Sequence, residues 1–98
     1  MSDPSEAEVV RNAERSRYEL VVNGAVRGWV DFRVEPDASI AYTHAQVDPD
    51  LRGKGFSPVL VSRALDDARA RGETVLARCA YVDEFQHTHS EYADVFAK

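Results

Sequence analysis

The stretch "DPDLRGKGFSPVLV" sets Arg52, Gly53, Lys54, Gly55, Phe56 and Ser57 in a row directly before a helix-like pattern. Glycines let a backbone take left-handed angles and come close to a ligand. Amides turned one way at a helix N-terminus, with two cations beside them, bind an anion, most often a phosphate. The bland alternative is a plain loop with a helix cap, because short glycine motifs are weak signals taken alone. Neither the GxxxxGK[ST] spacing of a Walker loop nor a GxGxxG after a parallel strand is present. Two more reactive residue types flank the loop. His44 precedes it and is a candidate base; Cys79 follows it and is a candidate nucleophile. Each also has a structural reading, Cys79 as a small core residue and His44 as a satisfied strand histidine. Cys79, His87 and His89 fit no common zinc spacing, so no metal site is expected.

The elements that must position these residues follow from periodicity. "RYELVV" (residues 17–22) reads as a strand, Asn23-Gly24 as a hairpin turn, and "AVRGWVDFRV" (25–34) as the return strand. Val26, Val30, Phe32 and Val34 then share one face and Trp29 lies on the other. "EPDAS" is a second turn. "IAYTHAQV" (40–47) is a third strand, with Tyr42, His44 and Gln46 on one face. Ser57 suits an N-cap and Pro58 the first helical position. Val61, Ala64, Leu65 and Ala68 keep helix spacing, and Gly72 stops the helix. "TVLARCAYV" (74–82) reads as a fourth strand, parallel to the third because a helix crosses between them. On it Val75, Ala77 and Cys79 share a face. The remainder reads as short helices broken near His89, with Ser90 as a cap. Residues 1–14 read as a flexible tail, "VVRNAERS" admitting a turn of helix or an irregular strand, and residues 15–98 as one domain. The architecture expected is α+β or α/β: a three-stranded antiparallel meander, the glycine loop with its helix, a parallel fourth strand, and short C-terminal helices.

Composition narrows the classes. The chain has 98 residues, 44 % hydrophobic and 30 % charged, with a formal net charge of −5. That is ordinary globular composition and argues against a general binder of nucleic acid or anionic membrane. No apolar run reaches the length of a bilayer span, and "MSDPSEAEVV" is no secretory signal. A single cysteine cannot form an internal disulfide, which favours a reducing, cytoplasmic setting.

In this context "LRGKGFSPVLVSRALDDARARG" resembles the pyrophosphate loop of the GNAT acyltransferases. Arg52, Gly55 and Ser57 occupy the fixed positions of its Q/R-x-x-G-x-G/A motif, with Ser57 standing for Gly or Ala. "YTHAQVDPDLRGKG" followed by "ARCAYVDEFQHTHSEYADV" is similar to the small single-domain GNAT-like family of the YjdJ type. His44, Cys79 with Tyr81 and Val82, and His89 with Glu91 and Tyr92 match its separated motifs; Ala45, Ala80 and Ser90 depart from them. The resemblance spans residues 17–95. It implies a sheet with helices mainly on one side and acetyl-CoA held at Val47, Arg52, Gly53, Lys54, Gly55, Phe56 and Ser57. It also implies His44 and Cys79 close together near the acyl group.

The activity so implied is transfer of an acetyl group from acetyl-CoA to an amine, directly or through an acyl-cysteine on Cys79 with His44 as base. Tyr42 or Tyr81 would be the proton donor for the leaving thiolate. The acceptor is an unidentified amine or protein, the chain a monomer or weak dimer. Two other functions fit the residues. One is an acyl-CoA-binding module that uses the loop without Cys79 or His44. The other is an interaction domain that presents Trp29 and the acidic tail.

Overall fold

The computed structural model describes residues 3–97. Five strands form one sheet in chain order: β1 (Glu8–Asn12), β2 (Arg17–Val22), β3 (Ala25–Val34), β4 (Ile40–Val47) and β5 (Val75–Ala77). The first four run antiparallel, and β5 is parallel to β4. Helix α1 (Phe56–Ala70) crosses from β4 to β5, and helix α2 (Ala80–Thr88) follows β5. The result is an α+β fold with one parallel strand pair. Among the described residues no helix is long and apolar enough to cross a membrane.

The β2–β3 turn forms where the sequence reads it. Asn23 and Gly24 both take positive φ, 52° and 79°, as a tight hairpin turn of the right twist demands. The inner face of the sheet is Tyr18, Leu20, Val22, Val30, Phe32, Ile40, Tyr42 and Val75, all buried. Helix α1 lays Leu60, Val61, Ala64, Leu65 and Ala68 against it. After β5 the chain returns along the same side: Phe96 forms a parallel bridge with Val75, outside β5. Crossovers between parallel strands are right-handed as a rule, and two of them advancing in one direction put both helices on one face. The Tyr92 hydroxyl accordingly donates to Asp66 of α1 at 2.9 Å, and Arg69 pairs with Asp94 at 2.7 Å. The other face carries Arg17, Glu19, Trp29, Asp31, His44 and Gln46, none of them buried.

Several sequence expectations need correction. The stretch read as a tail contains β1, paired with β2 along its whole length, so the antiparallel meander has four strands, not three; Met1 and Ser2 lie outside the described residues. Strand β1 turns Arg11 inward, over the Phe32 ring at 4.8 Å and onto Glu73 at 2.8 Å. An inward charge protects an edge strand and erases its apolar alternation. Val26 and Val34 are 45 % and 60 % exposed, because a register shift between Leu20 and Val21 turns Val26 outward and Val34 lies beyond the helix footprint. Helix α1 begins at Phe56 with Gly55 as cap, so Ser57 lies inside it and Pro58 is its third residue, not its first. Ser90 opens a short 3-10 turn whose cap residue is His89. Strand β5 ends at Ala77, five residues short of the expected end, and Tyr81–Val82 belong to α2.

Candidate functional site

The fourth strand carries the irregularity that builds the site. Between Asp31 and Phe32 the β3–β4 register shifts: Phe32 faces Tyr42, but Asp31 faces His44, leaving Thr43 as an extra residue on β4. A bulge of this kind bends its strand and reverses the facing of the residues beyond it. Tyr42 is therefore in the core, while His44 and Gln46 look out from the opposite face. The expectation that these three share a face fails for this reason. The bend also ends pairing with β5. The last paired residues are Tyr42 and Ala77, and the Arg78 amide makes a final bond to the Tyr42 carbonyl at 3.0 Å.

A cleft of about 220 Å³ opens there. Its β4 wall is Ala45, Gln46 and Val47; its helix wall is Ser57, Leu60 and Val61; Arg52 and Tyr81 stand at the sides. Directly before α1, Gly53 and Gly55 take φ values of 75° and 88°. The Lys54 amide donates to the Leu51 carbonyl at 3.3 Å, whereas the amides of Gly53, Gly55, Phe56 and Ser57 bond no protein acceptor among the described residues. Four unspent donors at the positive end of a 15-residue helix are suited to an anion. Pro58 adds none. Arg52 and Lys54 are exposed beside them, and the Arg52 Nε donates to the Val47 carbonyl at 3.3 Å, tying the loop to the strand end. Phe56 is buried and anchors the helix start.

The phenols divide by location. Tyr42 is fully buried against Tyr18, ring centroids 6.0 Å apart, and burial raises its pKa strongly. It belongs to the core and not to the cleft. Tyr81, on the first turn of α2, is 37 % exposed and lines the cleft. Burial first, and then the Glu84 carboxylate, raise its pKa, so it keeps its proton.

The structure does not join His44 to Cys79. His44 is exposed on the open face, its Nε2 3.3 Å from Gln46 Oε1. Cys79 stands at the N-cap of α2 with extended backbone, packed against the helix-side core. The two lie beyond the last Tyr42–Ala77 pair, with no hydrogen bond between them among the described residues. His89 stacks on Phe85 at 3.8 Å and donates to or accepts from groups of its own helix end, a structural role. No group of three or more metal-ligating side chains occurs among the described residues. Sequence reasoning missed Ala45, Gln46, Leu60 and Val61 as cleft walls; the bulge sets the facing of the two β4 residues, and no turn residue in "AYTHAQV" announces it.

Comparison with known proteins agrees with this geometry. A search of curated proteins finds no match. The fold is similar to a solution structure from Staphylococcus aureus described as a GCN5-like candidate N-acetyltransferase: TM-score 0.71 and 18 % identity, covering 99 % of this chain and 91 % of that one. It is also similar to the ribosomal-protein-alanine N-acetyltransferase of Brucella melitensis biovar Abortus 2308, with TM-score 0.52 and 25 % identity; 84 % of this chain spans 61 % of that protein. The family model described as GCN5-related N-acetyl-transferase matches residues 17–95, which include every strand from β2 onward, the glycine loop and both helices. With its bent fourth strand, anion-ready helix start and opened β4–β5 edge, the chain belongs to the GCN5-related N-acetyltransferase family.

Proposed function

We propose that the protein transfers an acetyl group from acetyl-CoA to an amine directly, without an acyl-cysteine. The observation that carries this is that the run of unbonded amides at Gly53, Gly55, Phe56 and Ser57 meets, at Ser57, the cleft between β4 and α1, which Arg52 also lines. In this reading those amides hold the pyrophosphate, with Arg52 and Lys54 adding charge. Val47 closes the strand side. A cleft of about 220 Å³ suits a narrow pantetheine arm. Acetyl-CoA, when bound, supplies the activated acetyl group as a thioester. The chain's own residues do the rest. His44 takes a proton from the acceptor ammonium, since only a neutral amine has the lone pair to attack. Tyr81, protonated and in the cleft wall, gives a proton to the departing thiolate. The carbonyl oxygen, as it gains charge, accepts from β4 amides left unpaired past Tyr42.

The direct route is favoured over Cys79 by one fact. A base activates a thiol only within hydrogen-bond reach; Cys79 packs against the helix-side core, His44 is exposed, and no hydrogen bond joins them among the described residues. The test of the cofactor site is an amide-shift titration of labelled protein with CoA. Shifts concentrated at residues 53–57 and along 45–47 are expected. Unchanged spectra at millimolar CoA would leave the glycine turn as a turn and move the chain to the interaction-domain reading.

A further inference from the structure

Resting on the acetyl-transfer reading, we infer that Asp31 is the anchor for the acceptor's ammonium group and that the acceptor is therefore a primary alkylammonium. Asp31 lies on β3 directly across from His44, on the face that carries no helix. Residues directly opposite in an antiparallel pair bring their Cβ atoms to roughly 5 Å, so carboxylate and imidazole flank one small volume. Asp31 has cationic neighbours and yet no partner. Arg17 is opposite it on β2, but the Arg17 guanidinium is committed elsewhere, to Glu19 at 2.8 Å and over the Trp29 ring at 4.8 Å. Lys54 and Arg52 belong to the loop. Among the described residues the Asp31 carboxylate makes no hydrogen bond or ion pair. A half-buried carboxylate left unpaired beside a spoken-for arginine is a place for an outside cation.

The surroundings fit the same guest. Trp29, two residues before Asp31 on this face, is opposite Gln46, whose backbone neighbourhood forms the β4 wall of the cleft. An alkyl stem would lie along the indole while its ammonium reaches Asp31. The net charge of −5 draws cations to the protein generally. The proton balance also closes. The ammonium passes one proton to the His44 imidazole and becomes a neutral amine with a free pair. The imidazolium so formed faces the Asp31 carboxylate, which balances its charge. The amine then forms its bond to the acetyl carbon as the bond to sulfur breaks; the second proton that the nitrogen sheds on becoming an amide replaces the one Tyr81 gives to the departing thiolate.

The test uses the full chain, isotope-labelled, and two probes. Nα-acetyl-lysine amide carries the ammonium; Nα-acetyl-norleucine amide has a similar stem without it. Each is titrated by NMR with and without saturating CoA. The lysine probe is expected to shift the Trp29 indole and the Asp31 and His44 amides, and the norleucine probe to leave them. Asp31→Asn should weaken the lysine probe about tenfold, the scale of one charge-assisted hydrogen bond, and leave CoA affinity unchanged. Equal responses to the two probes in the wild-type protein overturn the inference whether or not the variant folds, and so does an Asp31→Asn protein that binds the lysine probe as before. Failure of CoA to bind would instead overturn the acetyl-transfer reading, and the ammonium titration without CoA is read separately from it.

Discussion

Gly28 lies so close to β4 that a methyl group on its Cα would sit 2.7 Å from the Gln46 carbonyl oxygen and 3.1 Å from the Val47 Cα. These two atoms are backbone, so neither can swing aside as the Val47 Cγ2, also at 3.1 Å, could. They also belong to the strand that walls the cleft. Gly28→Ala is thus expected to cost about 2 kcal/mol of stability, as overpacking of a tight site does. It should also weaken CoA binding by pushing Gln46 and Val47 into the cleft. Chemical denaturation and a CoA titration of the same preparation check both; an affinity unchanged at lower stability would mean that the cleft absorbs the shift.

Tyr18 supplies a pH-dependent tie between sheet and helix. Its hydroxyl donates to Asp67 Oδ2 at 2.8 Å and accepts from Arg11 at 3.0 Å. Burial first, and then the bond to Asp67, push its pKa from 10.0 up to about 12. A phenol whose pKa is higher folded than unfolded stabilises the fold fully below pH 10, and that contribution fades as the pH passes from 10 to 12. A two-unit shift corresponds to about 3 kcal/mol at most. Tyr18→Phe should cost roughly 1 to 2 kcal/mol near pH 8, since Arg11 keeps Glu73 and Asp67 keeps Arg71. Urea unfolding at about pH 8 and about pH 11 should show the wild type losing more stability across that interval than the variant. Parallel losses would remove Tyr18 as the source.

How much the sequence discloses depends on how local each determinant is. Helix α1 is readable because Val61, Ala64, Leu65 and Ala68 keep one face along it, and the hairpin because Asn23-Gly24 suits positive φ at two positions. The loop and each separate motif of the family resemblance rest on short contiguous stretches. The bulge at Thr43 does not: it arises from where β4 meets β3, and it reverses the facing of His44 relative to Tyr42. Strand β5 reads too long because "ARCAYV" alternates as a strand would, while Val82 and Phe85, three apart and both buried, carry a helix signal across only nine residues. Strand β1 is obscured by Arg11, whose inward position makes sense only once Glu73, 62 residues later, is beside it.

Gly55 separates space from conformation. A Cβ there would meet only Pro4 Cγ at 3.5 Å, an ordinary contact, so room is not what demands glycine. Its φ of 88° is: an L-residue held there costs about 1 to 2 kcal/mol. Gly55→Val is expected to keep the fold, because Phe56 and the helix face behind it still bury, while the loop relaxes and its amides lose their common direction. Loss of CoA affinity by about tenfold or more, with native-like spectra outside residues 52–57, is the expected result. Unchanged affinity would reject the loop as the pyrophosphate site.

The choice between direct transfer and an acyl-cysteine rests on the Thr43 bulge and is open to kinetics. With His44 outward and Cys79 packed toward the core, Cys79→Ala should acetylate Nα-acetyl-lysine amide within about twofold of the wild-type rate, because the thiol takes no part. His44→Ala should lower kcat/KM by roughly a hundredfold, the usual share of one general base. The His44→Ala deficit should shrink as the pH is raised, since hydroxide and a larger fraction of free amine replace the missing base. Intact mass after incubation with acetyl-CoA alone should show no acetyl group on Cys79. A Cys79→Ala protein inactive by the same factor as His44→Ala, together with an acetylated Cys79 in the wild type, would establish the covalent route and require that the strand bend relax when the cofactor binds.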